Sequence, residues 1–319
     1  MTRHGRANEP EDLARLFVER ANAGDAAGLA DLYEPDAVLG FPPGQQVAAD
    51  HRPPRAAPVS DPASGQTPHL AAGLVGLADL SRLDPHIRPE IDRCALITID
   101  TQVDFLEGGS SPLRGTGQVL PAIGCLVEAF RSAGRPIIHV IRLYAGTDVD
   151  LVRRTLIESG APIVRPGSPG SQLAAELRPP GSAELDTRRL LGGDLQWFGP
   201  TEAVIWKPRW SAFYRTPLHD HLTSLKANTL IVAGLNYPNC PRATIADASA
   251  YDYRVIVAAD AISGVMDLHL DEAVRIGAIP MASTAVAALL RGAPSHPGGI
   301  ANQRRAPVAV PRPSTDTQP

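Results

Sequence analysis

Asp100, Lys207 and Cys240 each close or follow a short apolar run, and their three chemistries are complementary. A thiol attacks carbonyl carbon as its thiolate, which a nearby cation stabilises, while a carboxylate can move the protons. Cys240 is the most telling of the three. It lies in TLIVAGLNYPNCPRATIADAS, where a β-branched run, Thr229 to Leu235, precedes a turn over Asn236 to Asn239. Pro241 fits the first turn of a helix, where its missing N–H costs nothing, and Ala243, Ile245, Ala246 and Ala248 continue a helical pattern. The positive end of that helix predicts a Cys240 pKa below the free value of about 8.5. A buried structural cysteine is the competing reading, because free cysteine is among the most buried residue types.

The other two members stand in comparable places. CALITID, Cys94 to Asp100, ends an apolar run on a carboxylate, and in EAVIWKPRWSAFYRTPL the lysine Lys207 ends another ahead of an aromatic cluster. Open α/β sheets bind ligands at the carboxyl ends of their strands, so three strand ends supply an acid, a cation and a thiol to one edge. No single residue is specific; the ordered set is what amide hydrolysis by a thiol requires.

Strands that deliver such groups are expected at 94–100, 136–143, 202–207, 229–235 and 254–260, with a short sixth near Ile279. Helices at about 121–133, 240–250, 270–277 and 283–291 alternate with them. This pattern predicts an α/β fold: a three-layer, doubly wound, mostly parallel six-stranded sheet with helices on both faces. The interval 143–202 is long and irregular, with a helix at 149–159, and suits a lid or a subunit contact.

Outside this region the chain changes character. Residues 1–50 form a helical N-terminal segment in which Asn8 to Glu11 resemble a capping box and Ala26 to Tyr33 form a second helix. ARLFVERANAGDAAGLADLYEPDAVLGFPPG resembles the opening of a SnoaL-like or NTF2-like domain, but the curved sheet that would cover such helices is not expected to follow it. Residues 51–68 read as a proline-rich linker, 69–291 as the hydrolase domain opened by a helix over His69 to Leu83, and 292–319 as a disordered tail. A net charge of −4 over 319 residues leaves no basic footprint for nucleic acid. The three cysteines form no C-x-x-C pair, and no apolar run is long enough to cross a bilayer. A cytoplasmic protein acting on a small molecule, without nucleic-acid or membrane partners, is therefore expected.

ALITIDTQVDFLEGG, VIWKPRWSAFYRTPL and VAGLNYPNCPRATIADASAYDYRVIVAADAISG together resemble the isochorismatase-like cysteine hydrolases, over about residues 93–290. The resemblance implies hydrolysis of a C–N bond in a small amide or carbamoyl compound. It also implies roles: Asp100 as acid and base, Lys207 as thiolate stabiliser, Cys240 as nucleophile, and the backbone N–H groups of Asn236 and Cys240 as oxyanion hole. A cis peptide between Leu235 and Asn236, and a homo-oligomer, follow from it as well. Two departures bear on the substrate. Nicotinamidases of the family carry an Asp-x-His metal pair after the second strand, whereas PIIHVIRLYAGTDVDLVRR has none and places His139 in a core run. No cofactor or catalytic metal is therefore expected. Tyr237 and Pro241 replace a threonine and a valine common in relatives.

Phe105, Tyr214, Tyr237 and Arg142 are candidates for the pocket wall, Arg142 as a fork for a substrate carboxylate. Core packing competes for Phe105 and Tyr214, and is favoured for Trp206. Surface ion pairing competes for Arg142 and Arg209, and a loop cap competes with coupling to Asp100 for Asp104. The alternatives for the whole domain are isochorismate-type vinyl ether hydrolysis, which the cysteine disfavours, and a non-catalytic binding or assembly module.

Overall fold

The computed structural model describes residues 74–146 and 148–292, together with Leu16 and residues 38–40 and 46–48. Two compact units divide the chain, Met1–Pro68 and His69–Pro319. In the first, β1 (Val38–Gly40) and β2 (Gln46–Ala48) pair antiparallel, with Leu39 opposite Val47. The helices expected over 8–33, and the linker and tail, lie outside the described residues.

The second unit is built on seven strands: β3 (Cys94–Ile99), β4 (Ile137–Ile141), β5 (Gln196–Trp197), β6 (Glu202–Trp206), β7 (Thr229–Gly234), β8 (Arg254–Ile262) and β9 (Ile279–Met281). Their order across the sheet is β5-β6-β4-β3-β7-β8-β9, parallel throughout except for β5. The strand count therefore rises from six to seven. β5 contributes two residues antiparallel to β6, too few to produce any hydrophobic period in the sequence.

β3, β4 and β7 are buried at every position, as strands covered on both faces must be, and so read as unbroken apolar runs. Successive residues of β3 still serve opposite cores. Cys94 and Leu96 join one with Ile123, Phe130, Val286 and Leu290; Ala95, Ile97 and Ile99 join the other with Leu222, Ile245 and Leu270. The first core is covered by helices α1 (Thr116–Ser132) and α7 (Ser283–Gly292). The second is covered by α4 (Leu218–Ser224), α5 (Cys240–Ala250) and α6 (Asp267–Arg275). Two short helices, α2 (Leu151–Glu158) and α3 (Thr187–Leu191), lie in the long interval between β4 and β6.

α1 begins five residues earlier than expected, at Thr116, so Pro121 sits inside the helix rather than at its first position. Pro121 is exposed, and the carbonyl it leaves unpaired one turn earlier faces water, which limits the usual penalty. Of the helix expected over 69–83, residues 69–73 lie outside the described residues, and Leu77–Arg82 forms a 3-10 helix with no buried residue. Val75 N–H donating to the Pro280 carbonyl ties it to β9 (2.8 Å).

The chain winds outward from β3 through β4 to β6, then returns to the other side of β3 at β7. Strand order thus reverses between β3 and β7, the crevice where such sheets bind ligands. Gly234 is required there: at φ 124°, its α-carbon packs so close to Ile99 that an added Cβ would stand 2.2 Å from the Ile99 carbonyl oxygen.

Candidate active site

Asp100 follows β3, Arg142 follows β4, Lys207 follows β6 and Cys240 opens α5 beyond β7, so four adjacent parallel strands present their carboxyl ends to one cluster. Lys207 is completely buried, Asp100 and Cys240 nearly so. The Lys207 ammonium donates to Asp100 Oδ2 at 2.8 Å and to Cys240 Sγ at 3.2 Å. The structure therefore brings together the three groups singled out in the sequence.

Local backbone fixes each of them. Asp100 has φ 53°, a left-handed conformation that aspartate tolerates at a cost on the order of 1 kcal/mol. Its N–H donates to the Val140 carbonyl, and its own carbonyl accepts from Gln102 N–H. Lys207 N–H continues the ladder to the Ile141 carbonyl. The Thr244 hydroxyl donates to the Cys240 carbonyl and accepts from Ala212 N–H, tying the loop after Lys207 to the first turn of α5.

All peptide bonds among the described residues are trans, the one joining Leu235 to Asn236 included, which corrects the cis bond implied by the resemblance. The chain turns here through the positive φ of Gly234 and an Asn239 at φ −114°, ψ −95°, without the roughly 3 kcal/mol that a non-proline cis bond demands. Neither Asn236 N–H nor Cys240 N–H donates to an acceptor among the described residues.

The Cys240 pKa shifts opposite to the direction expected from its helix terminus. Burial pushes the thiol above its ordinary value and the negative charge of Asp100 adds to this; Lys207 and Arg142 pull it down without prevailing. The sequence shows the helix end but not the depth at which the sulfur sits, and desolvation wins.

Beside the cluster lies a cavity of about 210 Å³ lined by Asp100, Arg142, Asn236, Asn239 and Cys240, with Phe105, Tyr144 and Trp210 among its apolar walls. Phe105 and Arg142 thus face the cavity. Tyr214 is 48% exposed and does not line it. Tyr237 is buried away from it, stacked on the His269 ring with its hydroxyl donating to the His269 carbonyl, because the turn directs its side chain toward α6. The Trp206 indole N–H donates to the Leu143 carbonyl, and Arg209 pairs with Asp148 at the surface. Asp104 caps loops: its carboxylate accepts from Ser110 N–H and Val164 N–H.

Gln102, Asp150 and Trp210 had not been singled out. The Gln102 amide donates to the Arg142 and Ser171 carbonyls and accepts from Arg142 N–H, clamping the loop after β3 to the end of β4. Asp150 pairs with Arg142 at 2.9 Å. Its place eight residues after Arg142, just before a helix, was the available signal.

His139 is fully buried, with Nδ1 against the Thr98 hydroxyl (2.7 Å) and Nε2 against Glu202 (2.9 Å), so neither ring nitrogen is left for a metal ion. Glu202 also accepts two hydrogen bonds from Arg131 (2.7 and 2.8 Å). Burial alone would push the Glu202 carboxyl up; the bonds from Arg131 and His139 overcome it and hold the group down to about 2. Among the described residues no three His, Cys, Asp or Glu side chains gather as a metal site.

Residues 94–285 match the isochorismatase domain, and the chain belongs to the isochorismatase family. It is 32% identical over 217 residues to a ureidoacrylate amidohydrolase, RutB, of Methylorubrum extorquens, covering 63% of this chain and 80% of that one. It is 30% identical over 190 residues to an N-carbamoylsarcosine amidase of Arthrobacter, covering 56% and 64%. A probable inactive nicotinamidase of Arabidopsis thaliana is 34% identical over 173 residues, covering 52% and 79%. Among solved structures, an isochorismatase family protein of Desulfovibrio vulgaris aligns with TM-score 0.52 and 30% identity, covering 62% of this chain and 98% of its own.

Proposed function

We propose that this chain hydrolyses a C–N bond of a small amide or carbamoyl substrate, with Cys240 as nucleophile, Asp100 as acid and base, and Lys207 as the cation between them. The observation that carries this reading is the position of Lys207, buried and within hydrogen-bonding distance of Asp100 and Cys240, both of which line a cavity. The amidohydrolase and amidase relatives support the reaction class.

The thiol begins protonated and attack is coupled to proton transfer. Asp100 takes the thiol proton, Lys207 balances the resulting sulfur anion, and the sulfur adds to the substrate carbonyl. The oxyanion receives the N–H groups of Asn236 and Cys240, which have no other acceptor in the described residues; one such donor is typically worth about 3 kcal/mol. Asp100 returns the proton to the leaving nitrogen as the C–N bond breaks, leaving a thioester or thiocarbamate on Cys240. Water, giving a proton to Asp100, adds to this carbonyl; collapse releases the acid and restores the thiol.

A panel of small amides and ureas, assayed for amine or ammonia release, tests this with Cys240→Ala and Asp100→Asn beside the parent. Turnover by the parent, lost in both variants, is expected, together with an acyl mass on the Cys240 peptide under rapid quench. Undiminished turnover in Cys240→Ala would falsify the scheme.

A further inference from the structure

Asp100, Lys207, Cys240 and two backbone N–H groups suffice for the chemistry above, which leaves Arg142 without a task. Its guanidinium is only 2% exposed. Burying that charge costs several kcal/mol unless its donors are met. Asp150 lies 2.9 Å from Nη1, but off the direction a hydrogen bond needs, and Nη1 has no hydrogen-bond partner in the described residues. Nη2 reaches Cys240 Sγ at 3.7 Å. The Tyr144 ring lies 5.6 Å from the guanidinium carbon, a cation–π neighbour that accepts no conventional hydrogen bond. A planar fork with unspent donors thus stands in the wall of the cavity, beside the sulfur.

The charges around the cavity leave a surplus. Asp100 is paired with Lys207 and Asp150 with Arg142. Arg153, three residues beyond Asp150 on α2, lines the same cavity and makes no ion pair among the described residues. With the thiol protonated, the groups lining the site sum to one positive charge in excess.

We propose that Arg142 determines specificity by binding a carboxylate that the substrate carries one or two atoms from its scissile carbonyl, with Arg153 as a second cation on the same wall. This rests on the hydrolase reading of the site. The spacer follows from position: once sulfur bonds the carbonyl carbon, the guanidinium is only a few ångströms from it, and a carboxylate on a short spacer meets the fork with two parallel hydrogen bonds. Asp150 acts as a positioning residue, holding the guanidinium toward the sulfur until the substrate anion arrives.

The test needs no known substrate. Iodoacetate and iodoacetamide are near-isosteres that place a carboxylate or a neutral amide one bond from the carbon the sulfur attacks. Their rates at Cys240 are followed by mass spectrometry of that peptide, which separates it from the exposed Cys125, with glutathione as the reference thiol. The iodoacetate-to-iodoacetamide rate ratio should exceed that of glutathione by roughly 10- to 100-fold, the worth of a charged hydrogen-bonded contact, and malonate should suppress the iodoacetate rate. Arg142→Gln should return the ratio to that of glutathione; Arg142→Lys should keep part of it. The parent ratio is informative even if a variant fails to fold.

A parent ratio equal to that of glutathione, or no reaction of native Cys240 with either reagent, overturns the proposal. So does an equal slowing of both reagents in Arg142→Gln with a raised pH midpoint, which would make Arg142 a thiolate stabiliser. Hydrolysis is scored separately on malonamate against acetoacetamide, and on N-carbamoylglycine against 2-hydroxyethylurea. Turnover without preference for the anionic member defeats this inference and spares the hydrolase reading; an Arg142-dependent alkylation ratio with no amide turned over does the reverse.

Discussion

Two buried ionic clusters both draw on β4 and β6, and they are finished to different degrees. Around Glu202, every side-chain group finds a partner: Glu202 accepts from Arg131 and His139, and His139 spends its second nitrogen on Thr98. Around Cys240, Asp100 Oδ1 and Arg142 Nη1 are buried without hydrogen bonds, and the cluster opens into a cavity. A saturated network specifies packing. Buried polar atoms without a protein partner beside a cavity can accept one from a visiting molecule, so the two clusters differ in what the same residue types have left to offer.

The sharpest test of that division is Cys240→Ala, which should lower amide turnover by at least about 10⁴-fold while urea denaturation shows nearly unchanged stability. Next comes Glu202→Leu, which strands Arg131 and His139 and should cost about 3–5 kcal/mol in the same denaturation. If it leaves stability untouched, the contrast between the clusters fails.

The pH dependence of stability should carry the same signature. Glu202 falls from an ordinary 4.5 to about 2 in the folded chain, so between these values the unfolded state binds the extra proton. Its contribution, roughly 3 kcal/mol, is fully present above about pH 4.5 and is lost as pH falls toward 2. Denaturation midpoints from pH 6 to 2 should lose this slope in Glu202→Gln.

The thiol shifts the other way, upward. The alkylation midpoint of Cys240 should lie above its ordinary value, move down in Asp100→Asn as a negative neighbour disappears, and move up in Lys207→Ala. A parent midpoint well below that of a free thiol would contradict the burial argument. Asp104→Asn, which weakens acceptance from Ser110 and Val164, should cost about 1 kcal/mol of stability with little effect on the alkylation rates.

What was legible in the sequence tracks how local its cause is. β3, β4 and β7 show as apolar runs because both faces are covered, and α5 is marked at its start by Pro241. Asp100, Lys207 and Cys240 stand out because each follows such a run. Pro121 misplaced the start of α1, since a proline on the exposed face of a helix looks like one at its first turn. Gln102, Asp150 and Trp210 escaped notice because their roles arise only when loops distant in sequence meet. The direction of the Cys240 shift escaped for a related reason: burial is set by the whole fold.

The register of β4 and β6 has a mechanical side. β4 carries His139 and is followed by Arg142; β6 opens on Glu202 and is followed by Lys207. Each strand behaves as a stiff rod held at one point, mid-strand at His139 in β4 and at the start of β6, with a chemical group beyond its far end, roughly 10 Å away along β4 and 16 Å along β6. Play in the clamp becomes misalignment at the tip, where ångström errors are costly. Acid that loosens Glu202 would therefore detune the enzyme before it unfolds the chain.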